Sequence, residues 1–89
     1  MVDIEQRNTI LRLGALAEDV MANEAFQAAM NGAMNDVFMK FLATQPDEDE
    51  IRTKMWAVGQ AMDGLRNRLN AMVESATVEK RNKAEDESQ

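Results

Sequence analysis

The sequence predicts an all-α fold: an antiparallel helical hairpin with a shorter N-terminal helix, a three-helix arrangement completed by self-association. Three observations predict it. Apolar residues recur at helical steps of three and four along most of the 89 residues. One proline, four glycines and a set of capping residues divide the chain into four units. The longest apolar stripe keeps a heptad spacing without interruption.

The first helix is expected over 3–22, with Asp3 as its N-cap. Its apolar face is Ile10, Leu13, Ala17 and Val20, widened by Leu16. A second helix is expected over 24–43, capped by Asn23, with Phe26, Met30, Ala33, Val37 and Phe41 on one face. Neither glycine nor proline lies in 21–24, so the joint near Asn23 reads as a bend, between a separate helix and a kinked continuation.

Thr44-Gln45-Pro46-Asp47-Glu48-Asp49-Glu50 ends that helix and starts the next. Proline is tolerated at the first helical position, and acids in the first turn complement the positive end of the helix dipole. An EF-hand reading fails, because that loop needs glycine at its sixth position and glutamate at its twelfth. The third helix is expected over 46–76, about 45 Å long at 1.5 Å per residue. Ile51, Met55, Val58, Met62, Leu65, Leu69, Met72 and Ala76 form its heptad stripe. Together the second and third helices form the hairpin. The tail, 77–89, is almost devoid of apolar residues; it either prolongs the helix with charge pairs such as Glu79 with Lys83 or is disordered.

Size and inventory limit the function. A chain this short buries only about 60% of its unfolded surface, so completion by other copies is expected. Without cysteine, histidine or tyrosine it has no disulfides, no thiolate or histidine metal site and no histidine-based nucleophilic system. No glycine-rich phosphate loop is present. The protein is therefore expected not to be an enzyme and to need no cofactor. A net charge of −6 disfavours direct nucleic-acid binding. No signal peptide and no membrane-spanning run is seen, which places the chain in a bacterial or host cytosol.

Small residues form a second face on two helices: Ala25, Ala28, Ala29 and Gly32 on the second, Ala57, Ala61, Gly64 and Ala71 on the third. Glycine inside a helix costs about 1 kcal/mol relative to alanine, so Gly32, Gly59 and Gly64 are expected to mark close approach of another helix. The first helix, with its own Gly14, fills one groove, and the other is left for a second copy. The alternative is that these alanines are helix formers on a solvated face. The self-association or partner interface is accordingly assigned to Ile51, Met55, Trp56, Val58, Ala61, Met62, Gly64, Leu65, Leu69 and Met72. Trp56 is either a lid over the hairpin or an interface anchor. Among eight methionines, Met21 and Met39 fall off the stripes and are candidates for adaptable contacts. Arg52 and Lys54 are expected to pair with Glu48 and Glu50. Arg66 and Arg68 point apart on one helix and could join an anion site only across an oligomer interface; otherwise they serve solubility.

The stretch Ala25-Phe26 … Phe38 … Phe41 … Thr44-Gln45-Pro46-Asp47 … Arg52 … Met55-Trp56 … Leu65 … Leu69 resembles short helical proteins encoded by tailed bacteriophages. The resemblance covers Leu16 to Ala76. It implies a small accessory protein of the virion and its assembly, contacting capsid, portal or packaging components. The alternative it implies is an inhibitor that sequesters a host defence or regulatory factor. No catalytic residue is transferred by it.

Overall fold

The computed structural model describes residues 3–88. Among them are three α-helices and no strand: α1 (Ile4–Ala22), α2 (Glu24–Leu42) and α3 (Asp49–Glu87). With 19 residues each, α1 and α2 are equal in length, and α3 has 39. Asp3 caps α1 as expected, its Oδ1 accepting the Gln6 backbone N–H at 2.7 Å. Asn23 stands at φ −70°, ψ 122° and accepts the Phe26 N–H on Oδ1 at 2.9 Å. An extended residue that supplies a donor-satisfying oxygen stops one helix and starts the next, so α1 and α2 are separate helices and not one kinked helix.

Pro46 is not the first residue of α3. The Glu48 N–H donates to the Gln45 carbonyl at 3.0 Å, which makes Gln45-Pro46-Asp47-Glu48 a β-turn with proline at its second position, where a fixed φ is favourable. Glu48 Oε1 takes the Gln45 N–H at 2.8 Å, and the Glu48 carbonyl accepts the Arg52 N–H at 3.0 Å. The helix therefore begins at Asp49. Lys54 pairs with Glu50 at 3.6 Å as expected, but Arg52 reaches Asp49 at 3.3 Å and not Glu48. The Arg52 guanidinium also donates to Thr44 Oγ1 at 3.1 Å and to the Gln45 carbonyl at 2.9 Å, tying the start of α3 to the end of α2.

The chain divides into two units, one formed by residues up to Ala22 with those from Asn67 onward, the other by Asn23–Arg66. In the first unit α1 packs on the C-terminal part of α3. Arg7 Nε donates to Glu79 Oε1 at 2.6 Å, and its Nη2 to Asp86 Oδ2 at 3.0 Å. Gly14 faces Met72 and Ala76. Partners on α3 fall in number as those on α1 rise, so the two segments run antiparallel. Gly14 is here because nothing larger fits: a methyl group would overlap the Ala76 Cβ and stand 2.9 Å from the Met72 carbonyl oxygen. Ala17 and Ala76 are buried beside it.

α3 continues past Ala76 to Glu87, the helical one of the two outcomes expected for the tail. Glu79 does not pair with Lys83, which reaches Glu87 instead at 4.0 Å. Glu79 is 6% exposed and belongs to the packed seam, although the tail is almost devoid of apolar residues. A buried carboxylate is tolerated because Arg7 neutralises it. The two carboxylates hold the Arg7 guanidinium even further on its charged side than usual, the Glu79 hydrogen bond first and the Asp86 bond second. Arg7→Ala leaves Glu79 buried without its cation, so it is expected to lower the thermal midpoint clearly more than Lys54→Ala, which opens only an exposed pair. Equal midpoints for the two variants in thermal unfolding would contradict the role given to Arg7.

In the second unit the expected α2 face is the packed one: Met30 is buried, and Phe26, Ala33, Val37 and Phe41 are partly buried. On α3 the stripe turns by one residue at alternate positions. Met55, Met62, Leu69 and Ala76 keep their places, while Arg52, Gly59, Arg66 and Val73 replace Ile51, Val58, Leu65 and Met72 on the packed side. Two local contacts account for the change in the second unit. Gly59 offers Val37 Cγ1 an approach that puts an added methyl at ordinary contact, 3.7 Å, and Arg52 is drawn onto the turn by Thr44 and Gln45. Gly32 and Gly64 face open space within the chain, so close approach to their own neighbours does not explain them.

Candidate interaction surface

The displaced stripe leaves apolar side chains uncovered. Along α3, Ile51, Val58, Leu65 and Met72 are 46%, 44%, 49% and 39% exposed, and each is seven residues from the next. Seven residues are close to two helical turns, so Ile51, Val58 and Leu65 form one row in the second unit, and Met72 is exposed in the first. Each directly precedes a residue of the packed seam. On α1, Leu13, Leu16 and Val20 likewise precede Gly14, Ala17 and Met21 and are exposed.

In an antiparallel pair, residues rotated in the same sense from both seams lie on one side. The first unit displays this directly: Ile10, Leu13, Ala71, Met72 and Ser75 line a single open, apolar groove of about 210 Å³. The same rule separates two sides of the second unit. Ile51, Val58 and Leu65 precede seam residues and share one side. Phe38, Leu42 and Trp56 follow Val37, Phe41 and Met55 and share the other.

The residues expected at an interface thus fall into three groups. Ile51, Val58 and Leu65 make the exposed row of the second unit, Met72 is exposed in the first, and Ala61 is exposed too. Met55, Met62 and Leu69 are partly buried within the chain, as is Gly64. Trp56, 61% exposed, stands apart from the row and is no lid. Arg66 is partly buried at the seam and Arg68 is exposed, so the chain does not gather them into one anion site. Of the two methionines off the stripes, Met39 is exposed and Met21 is partly buried in the α1 seam. Phe38 and Leu42, 58% and 60% exposed, were not among the expected interface residues. Their signal was present in the sequence: each stands immediately after a residue of the α2 stripe.

The packed interior is small. Among the described residues the buried hydrophobic ones are Ala17, Met30 and Ala76, and no large side chain is fully enclosed. Among the described residues no helix is long and apolar enough to cross a membrane. No family model, curated protein or solved structure matches the chain.

Proposed function

We propose that the protein is a non-enzymatic, self-associating helical protein that acts through helix–helix contacts. In this reading α2 and α3 form an antiparallel hairpin, α1 is the third helix, and other copies complete the packing. The observation that carries it is the exposed row Ile51, Val58 and Leu65 on the second-unit part of α3. Apolar residues at this spacing form the seam of helix pairs, and a row left open on one chain is covered when a second chain presents its own. The resemblance to short phage proteins adds the role: a structural or assembly component that contacts other virion parts and works in the bacterial cell or the particle.

The chain has no cysteine, which makes the contact testable by disulfide capture. Oxidation of a Leu65→Cys variant is expected to give a covalent dimer at low protein concentration, whereas Thr53→Cys, placed off the row, is expected to stay monomeric. No dimer at Leu65→Cys, or equal dimer at both positions, would remove the row as the contact. The assembly role is checked by mass spectrometry of purified particles and assembly intermediates, where the chain is expected; absence from both counts against it.

A further inference from the structure

We infer that the Trp56 side of the second unit is a docking surface for a basic amphipathic helix of a partner protein. Three of the most exposed large apolar side chains, Phe38, Leu42 and Trp56 at 58%, 60% and 61%, share this side. They are also level with one another. Val37 meets Gly59 at one end of the segment, Arg52 meets Thr44 at the other, and Phe38, Leu42 and Trp56 lie between those contacts in sequence. Trp56 is of a residue type enriched at interface hot spots, and Phe38 and Leu42 add apolar area beside it.

Charge identifies the occupant. Asp49 and Asp63 stand seven residues before and after Trp56, on the same face of α3, and both are exposed. Lys40 and Lys54 each precede a seam residue and so belong to the opposite side. Arg52 is held by Thr44, Gln45 and Asp49. The side is therefore apolar at its centre and acidic at both ends, and the one base that reaches it, Arg52, is already engaged by Asp49, Thr44 and Gln45. A helix with one apolar face flanked by lysine or arginine matches it, because its apolar stripe covers the rings while its cations meet the two aspartates. A second copy of this chain, at net charge −6, does not supply that complement.

The surface is distinct from the α3 row, so the two can fail separately. Trp56 is the only tryptophan and reports on its own surroundings. A synthetic tryptophan-free amphipathic peptide of leucine and lysine is titrated into the full chain while Trp56 emission is followed. A blue shift is expected, saturating at least tenfold tighter than for the same peptide with glutamate in place of lysine. Asp49→Asn with Asp63→Asn is expected to weaken binding about tenfold, and Leu42→Ser by a similar factor. All three positions are exposed, so these variants keep the fold, which circular dichroism verifies. Equal response to the lysine and glutamate peptides, or full binding by Leu42→Ser, overturns the inference. So does a blue shift that grows with protein concentration alone, since a second copy would then cover Trp56.

Discussion

Replacing Gly14 with alanine is expected to destabilise the protein, although the same change at most helix-interior glycines stabilises. Alanine gains about 1 kcal/mol over glycine in helix propensity. At Gly14 the added methyl overlaps the Ala76 Cβ and comes to 2.9 Å from the Met72 carbonyl oxygen. Both neighbours are fixed by the α3 backbone, so relief requires α1 to move away from α3. Overpacking of this kind costs about 1–3 kcal/mol, and the net change is a loss. Leucine at the same position is expected to cost more and to release α1 from its partner segment, with Arg7 and Glu79 separating as it leaves. The control is Gly32→Ala, whose methyl meets nothing within the chain; it is expected to stabilise by up to about 1 kcal/mol. Urea unfolding of the three variants checks the order. A Gly14→Ala protein as stable as Gly32→Ala would mean that α1 does not seat against Ala76.

Lysine at both Val58 and Leu65 is expected to abolish self-association while leaving the single chain folded. Both side chains are nearly half exposed in the chain, so lysine can extend into solvent there. In a paired assembly the two positions on two copies bring four side chains into the contact. At about 1 kcal/mol each for a half-exposed aliphatic group, their loss weakens the dimer roughly a thousandfold. Repulsion between introduced charges adds to this. The same double substitution leaves the Trp56 side untouched, so binding of a basic helix there is expected to persist.

Much of the helical layout was legible because periodicity and caps act locally. Asp3 and Asn23 carry oxygens that satisfy the first free N–H groups of a helix, and both do so. The α2 face was legible for the same reason. What the pattern left open was which flank of the heptad stripe would turn inward. Ile51, Val58, Leu65 and Met72 are the more apolar choice, and apolar content alone selects them. The choice in the second unit follows contacts from distant parts of the chain, Val37 against Gly59 and Arg52 against the 44–45 carbonyl and hydroxyl. Pro46 misled for a related reason. Proline favours the first turn of a helix and the second position of a β-turn equally through its fixed φ, and only the Glu48 to Gln45 hydrogen bond separates the two. The end of α3 depended on Arg7, whose pairing with Glu79 spans most of the chain and leaves no trace in local spacing.

The glycines show the same division. Gly14 was read as the small residue of the helix that fills one groove, and it is the site of closest approach. Gly64 was read as an intrachain or partner contact, and the space beside it is open. Helical spacing places such residues on a face, but the neighbour that faces them is set by tertiary register.

The claim that copies of this chain meet along the α3 row is tested most directly by the mass in solution, measured by light scattering over a concentration series. Twice 10.0 kDa or a higher multiple is expected for the natural sequence, returning to 10.0 kDa for Val58→Lys with Leu65→Lys. A constant mass of 10.0 kDa for the natural sequence at every concentration would contradict it.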